Sequence, residues 1–393
     1  MSTPVPRTAV LALGAFAVGT SGYVVAGLLP ALTGELAVSE TAAAQLVTAF
    51  AIAYAVGSPL FAAATGRWER RRLLVAALAV TGAGNVFAAL APDYTSLFAA
   101  RVVTAIGAAV FTPAASAVAA ELSPPQRRGR AVALVFGGLT FALVAGVPLG
   151  NLLAEPLGYR GVFALVAGFS FAAACAVRVL LPPVAAPPAV SLAERFAVAR
   201  DPRVLAVLAT TVFGCLAAFS VYTFITPVLG ATAGVSGSAI SVLLVCYGVG
   251  AALGNVLGGR VTDRWGSRRP VYAVIVAIVV ILALLPVVAT TTASAAVVLF
   301  LWGVATWSFN PPIQHRLITL APSSAGLLLS LNASAIYLGV GLSGVVGGLV
   351  LRHGGAALLP EIAALLTVVG GVFAVFGLRE RASAPAPVSA QSR

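Results

Sequence analysis

The sequence predicts an all-α membrane protein, with twelve transmembrane helices arranged as two pseudo-symmetric six-helix bundles. Three observations carry this prediction. Twelve apolar runs are long enough to cross a bilayer, charge alternates between the loops that join them, and a repeat relates the two halves of the chain. Of the 393 residues, 60% are hydrophobic and 9% are charged, against about 25% charged in a soluble domain. A chain this long and this apolar cannot hide its side chains in a water-soluble core, so the bilayer is its solvent. Its 40 glycines and 24 prolines would be ruinous in soluble helices, but membrane helices tolerate them because neighbours re-satisfy freed backbone groups.

A spanning helix needs about 20 mostly apolar residues. The first half offers runs at 8–32, 43–64, 73–91, 96–120, 130–154 and 160–181, the second at 203–229, 238–259, 270–289, 294–320, 324–351 and 356–378. Charges bound them in order. Span 1 follows Arg7 and stops before Glu35. Span 2 lies between Glu40 and the cluster Arg67, Arg70, Arg71 and Arg72. Span 3 ends at Asp93. Span 4 carries Arg101 and leads to Arg127, Arg128 and Arg130, where span 5 starts. Glu155 and Arg160 separate spans 5 and 6. Span 6 runs past Arg178 into the centre of the chain. Span 7 starts at Arg203, and span 8 ends at Arg260, Arg264, Arg268 and Arg269. Arg316 ends span 10, Arg352 ends span 11 and Arg379 ends span 12. Nearly all these arginines fall on one side. The other side holds Arg160 and Arg352, with Arg101 near it, and the acids Glu35, Glu40, Asp93 and Glu155. The positive-inside rule then puts both termini in the cytoplasm. A missed or extra span would break the alternation. The first run is too long for a signal-peptide core.

The expected organisation is a six-helix bundle over 1–181, a cytoplasmic linker over 182–202, a second bundle over 203–378 and a cytoplasmic tail over 379–393. The linker is rich in Pro and Ala, with Pro182, Pro183, Pro187 and Pro188. An offset of 197 residues aligns the halves: Pro30 with Pro227, Val38-Ser39 with Val235-Ser236, Gly57 with Gly254, Arg67-Trp68 with Arg264-Trp265, and Arg71-Arg72 with Arg268-Arg269. A parallel repeat of six-helix halves suits a rocking transporter with its substrate site near the midplane.

Several function classes are excluded. The formal charge of +12 sits in short loops and sets topology, so no nucleic-acid partner is expected. With no P-loop, ATP is not the expected energy source. Two histidines placed as His315 and His353 assemble no catalytic or metal constellation, and neither an enzyme nor a cofactor is expected. Cys175, Cys215 and Cys246 lie in apolar runs without metal-ligand spacing. All basic residues are arginine; with so much alanine this suggests a GC-rich bacterial genome.

The stretch Gly259-Arg-Val-Thr-Asp263-Arg264-Trp-Gly266-Ser-Arg268-Arg269 after span 8 resembles the loop signature of the major facilitator superfamily, G-x-x-x-D-R-x-G-x-R-R. The copy after span 2, Ala62 to Arg72, is degraded. Gly66 stands at the Asp position and Glu69 at the second Gly position, while Arg67, Arg71 and Arg72 remain. Arg101 looks like the family's buried arginine of span 4. Gly137 and Gly146-Val-Pro148-Leu-Gly150 resemble the span-5 motif of drug–proton antiporters. Gly19-Thr20 through Gly27-Leu-Leu-Pro30, with Leu331-Asn332-Ala-Ser, looks like the bacterial arabinose-efflux and chloramphenicol-resistance branch.

The resemblance implies proton-driven export of a small amphipathic molecule (drug, antibiotic or sugar-like metabolite) across the bacterial inner membrane, by a monomer whose partners are the lipid bilayer, its substrate and protons. It implies that Asp263 faces the start of span 11 near Ser323 to Gly326, and that the first-half loop faces the start of span 5 near Arg128 to Arg130. These contacts would latch the cytoplasmic side, with Glu69 standing in for the missing aspartate; alternatively the loops only set topology. The span-5 glycines would seal against leak or simply pack closely. Arg101 is either a functional intramembrane charge or an anchor snorkelling at the outer interface. None of the eleven acids lies mid-span. Where related efflux proteins carry an acid shortly after Gly-Thr, this chain has Ser21-Gly22-Tyr23. Asp93, or the more cytoplasmic loop residue His315, could carry protons instead. The missing acid keeps an uncoupled facilitator open, and a non-transporting receptor is a third class. Candidate cavity residues are Tyr23, Tyr54, Phe111, Phe219, Tyr222, Tyr247, Trp302, Trp307, Asn310, Asn332 and Tyr337; about half should line an apolar, aromatic cavity.

Overall fold

The computed structural model describes residues 8–124, 128–186, 200–235 and 238–379. Most of the expected linker (187–199) and nearly all of the expected tail (380–393) lie outside the described residues, as do Arg7 and Arg127. Within them the chain is helical throughout, with no strand. The helices are α1 Ala9–Leu36, α2 Glu40–Ala64, α3 Arg70–Leu90, α4 Tyr94–Glu121, α5 Arg128–Phe141, a π-helical turn Ala142–Gly146, α6 Val147–Leu180, α7 Pro202–Thr223, α8 Ile225–Ala233, α9 Ser238–Trp265, α10 Arg268–Val288, α11 Thr292–Ser308, α12 Asn310–Leu320, α13 Ala325–Gly354 and α14 Leu359–Gly377. Eleven candidate spans are long and apolar enough to cross a membrane, and α1 adds a shorter apolar stretch, Ala9–Val25. Large apolar side chains such as Leu90, Val179 and Val287 point outward at more than 70% exposure, which only a lipid solvent makes favourable.

Two of the expected spans are each built from two helices. Span 7 is α7 and α8, offset at Phe224. Span 10 is α11 and α12, broken at Phe309 ahead of Pro311 and Pro312. Neither proline can donate a backbone N–H, so the helical ladder is interrupted there. His315, expected in a loop, lies exposed on α12 because the helix resumes and runs to Leu320. The expected gap between spans 5 and 6 is a kink inside α6: Gly158 takes φ 63° and ψ 176°, a region open almost only to glycine. A side chain at 158 would also meet Glu35, whose carboxylate accepts the N–H of Tyr159 at 3.3 Å and pairs with Arg160 at 3.4 Å. Arg160 donates as well to the Ala91 carbonyl at 3.0 Å. It ties the far ends of α1, α3 and α6 together.

The repeat recurs in the caps. Asp93 opens α4 in a reciprocal capping box with Ser96, and Thr291 opens α11 in the same box with Ser294. Helices α1 to α6 pack among themselves, as do α7 to α14. The halves meet along α2 with α13 and along α5 with α9. Phe219 of α7 touches the cores of both halves, and Tyr337 and Val340 of α13 are buried in the first-half core.

Candidate functional site at the junction of the halves

Arg101 lies two turns into α4, about 10 Å from its first residue, and is fully buried. The Asp93–Ser96 cap starts the helix early, so Arg101 is no interfacial anchor. Among the described residues no carboxylate pairs with it. One guanidinium nitrogen donates to the Ser21 carbonyl of α1 at 2.7 Å and the other to the Gly22 carbonyl at 3.4 Å. Its Nε has no hydrogen-bond partner among the described residues. Its charge lies 4.5 Å from the Phe50 ring centroid and 6.0 Å from that of Phe163, a cation–π arrangement that offsets part of the desolvation. Ser21 is itself held, its hydroxyl donating to Asn85 Oδ1 at 3.1 Å. The positions that lack the acid, Ser21 and Gly22, are the ones whose backbone serves the arginine.

Beyond Gly22 begins an aromatic cluster. A Cβ at Gly22 would lie 3.4 Å from Phe50 and 3.9 Å from the Tyr337 hydroxyl. Tyr54 of α2 stacks on Tyr337 of α13 with ring centroids 3.6 Å apart and planes at 23°. Tyr23 of α1 turns its hydroxyl toward Tyr337. In the second half Tyr222 of α7, Tyr247 of α9 and Trp302 of α11 follow at centroid separations of 5.0 and 4.8 Å, and Phe219 packs edge-on against Tyr222. The Tyr247 hydroxyl is directed at Trp307 and Thr306. The indole N–H of Trp302 and the hydroxyls of Thr306 and Thr112 have no aligned hydrogen-bond partner among the described residues.

Eight of the eleven candidate cavity residues therefore gather at this junction: Tyr23, Tyr54, Tyr337, Phe219, Tyr222, Tyr247, Trp302 and Trp307. Three are engaged elsewhere. Phe111 is fully buried in the first-half core, its ring filling the space over Gly14 of α1. Asn332 donates to Asn310 at 3.2 Å and accepts from Thr211 at 3.0 Å, a closed triad that ties α7, α12 and α13. Sequence reasoning missed Ser21, Gly22, Phe50 and Thr306. Two of these act through backbone carbonyls, which no residue type announces.

The coupling and gating residues fall into place unevenly. Asp93 is exposed and spends its carboxylate on capping α4; the N–H and hydroxyl of Ser96 hold it below the usual carboxylate range. The carboxylate is thus engaged at the N-terminus of α4, at the outer end of spans 3 and 4. Glu69 caps α3 and accepts from the N–H groups of Arg71, Arg72 and Val184 at 2.9, 3.0 and 3.0 Å. Arg70 donates its N–H to the Val184 carbonyl at 2.9 Å, and Arg71 reaches the Leu181 carbonyl at 3.3 Å. The first-half loop thus grips the chain leaving α6, and the three hydrogen bonds of Glu69 are all made within this contact. The side chains of Arg128 and Arg130 lie outside the described residues. In the second-half copy Gly266 makes a left-handed turn at φ 70°. Asp263, Arg264 and Arg268 are exposed, Arg264 near Trp265; Asp263 forms no ion pair among the described residues, and the Ser323 side chain lies outside them. Arg67 is exposed, and Gly259 has open space around it. Gly146 and Gly150 face α1, where an added Cβ would overlap Thr20 and Val24. Pro148 follows the π-turn in the first turn of α6.

Two hydrogen bonds cross between the halves toward the end where the described chain begins and finishes. Ser58 of α2 donates to the Ser330 carbonyl of α13 at 3.3 Å, and Asn255 of α9 to the Ala133 carbonyl of α5 at 3.5 Å.

With this geometry in view, the sequence profile described as Major Facilitator Superfamily matches residues 11–326 and 207–393. The chain is 35% identical over 359 residues to the inner membrane transport protein YdhP of Escherichia coli K12, covering 91% of this chain and 92% of that protein. It is 31% identical over 387 residues to a chloramphenicol resistance protein of Streptomyces lividans, covering 97% and 98%. Among solved structures, the human organic anion transporter MFSD10 shares the fold with a TM-score of 0.74 at 15% identity, covering 95% of this chain and all of that one.

Proposed function

Because the chain belongs to the Major Facilitator Superfamily and is a multi-pass membrane transporter, we propose that it exports a small amphipathic molecule by alternating access coupled to proton antiport, with both termini in the cytoplasm. The observation that carries this reading is the aromatic junction shared by the two halves. Rocking one half against the other would part Tyr54 from Tyr337 and break the Ser58 and Asn255 bonds, opening the cluster to one side at a time. The fully buried Arg101 supports coupling: a charge held only by carbonyls and ring faces is costly in the membrane, and its field reaches the junction through Gly22 and Phe50. The resemblance to a chloramphenicol resistance protein supports a drug-like cargo.

The test is accumulation of labelled compounds, a phenicol among them, in efflux-deficient cells expressing the protein, with and without a protonophore. Lower accumulation that the protonophore restores is expected. Arg101→Ala is expected to abolish the protonophore-sensitive part while the protein remains folded in the membrane; unchanged efflux would remove Arg101 from coupling. One observation favours a second reading, uncoupled facilitated transport: no span carries a carboxylate at its middle. Under that reading the protonophore leaves accumulation unchanged.

A further inference from the structure

Among the described residues the second-half side of the junction holds hydrogen-bonding groups and no formal charge. The Trp302 indole N–H is fully buried and unpartnered, and the Thr306 hydroxyl one turn along is likewise without an aligned partner among the described residues. The Tyr247 hydroxyl is directed at Thr306 and Trp307, and its ring lies 4.8 Å from that of Trp302. A buried donor left unmade costs about 1–3 kcal/mol. Two such groups, with the Tyr247 hydroxyl beside them and flat rings around, describe a place completed by something else. The missing partner is an acceptor that can lie against aromatic faces.

Its charge follows from the surroundings. Burying an ion beside neutral donors costs several kcal/mol unless a counter-charge is in contact. No acid in the sequence lies mid-span, so a cation finds no carboxylate. The single buried cation among the described residues, Arg101, stands behind Gly22 and Phe50 and repels a second positive charge. It offers little to an anion, because two of its nitrogens donate to Ser21 and Gly22 and Phe50 covers its face.

We propose that Tyr247, Trp302 and Thr306 form the polar subsite of the substrate, and that it receives an uncharged hydrogen-bonding group carried on an apolar body, so that cations and anions are rejected. This rests on reading the junction as the substrate site.

The experiment uses the full-length protein in lipid nanodiscs and three amphipaths with one 4-nitrophenylhexyl body, ending in a hydroxyl, an ammonium or a carboxylate. The nitrophenyl group quenches indole fluorescence, and Trp302 and Trp307 flank the subsite. Saturable quenching is expected for the alcohol, with both ions weaker by about tenfold or more. The pair Thr306→Val and Tyr247→Phe, which removes hydroxyls at nearly constant shape, is expected to weaken the alcohol about tenfold and to leave the residual binding of the ions unchanged. Ammonium or carboxylate binding as tight as the alcohol overturns the charge assignment. Preference for the alcohol that survives both substitutions overturns the choice of residues, and absence of saturable quenching by all three overturns the subsite. No gradient is applied, so a failure of proton-coupled export is seen in the accumulation assay and leaves this result untouched.

Discussion

Glu69 and Gly266 occupy the same place in the two halves and turn their loops in different ways. Gly266 takes a left-handed turn; Glu69 is extended, and its carboxylate collects three N–H groups. Burial raises the pKa of this carboxyl. The N–H groups of Val184, Arg71 and Arg72, with the Arg71 guanidinium, outweigh that and hold it below its ordinary 4.5. The folded state therefore binds the proton less readily than the unfolded one. The stabilisation is present above the ordinary value and lost as pH falls through the folded value. The thermal midpoint in detergent is expected to hold from neutral pH down to about 5 and to drop below that; in Glu69→Gln the acid limb of this profile flattens. A variant whose midpoint falls as steeply as that of the parent would show that other carboxylates govern the acid side. Arg101 shows what was legible at this scale. Its burial was open in the sequence because the start of span 4 was open, yet Asp93-x-x-Ser96 is a capping signature that sets the start at Tyr94. The carbonyls that hold it have no such signature. Asn310 and Asn332 read as cavity polar groups because one sequence cannot show that they satisfy each other.

Apolar runs predicted most of the spans to within a few residues, since length and hydropathy answer to the bilayer alone; span 6 starts earlier than expected, at Leu152. Breaks within spans answer to local backbone chemistry and were harder to see. Pro311-Pro312 carried a signal for the break in span 10. The kink at Gly158 carried less, because glycine is common throughout this chain. Its role rests on a conformation that other residues resist and on Glu35 lying where a side chain would go. Gly158→Ala is expected to destabilise the protein by about 1–3 kcal/mol, read as a lower midpoint in a thermal shift assay. An unchanged midpoint would mean that the kink relaxes at no cost.

The whole molecule is two similar halves whose contacts differ along their length. The repeat, the loop charges and the aromatic residues of the inner helices were readable, because they are patterns of residue type. The cross-half bonds of Ser58 and Asn255 were not, because both end on backbone carbonyls of the opposite half. Each is worth about 0.5–1.5 kcal/mol, enough together to shift a balance between two states several-fold. Replacing both with alanine is expected to populate a longer separation between spin labels placed by Arg67→Cys and Arg264→Cys, one exposed site per half, in a background without Cys175, Cys215 and Cys246. A distance distribution identical to that of the parent would show that the closure does not depend on these bonds.

The grip of the first-half loop on Val184 also dictates where the gene could be divided. A cut after residue 186 leaves Glu69, Arg70 and Arg71 with their backbone partners, so the first fragment keeps the cap of α3 and each fragment carries one bundle. Fragments made by a cut between 190 and 195 and co-expressed are expected to reassemble into a protein that lowers phenicol accumulation as the intact chain does. Division between 180 and 181 strips Leu181 and Val184 from the first fragment, leaves Glu69 without one of its three donors, and is expected to yield less of the reassembled pair in the membrane.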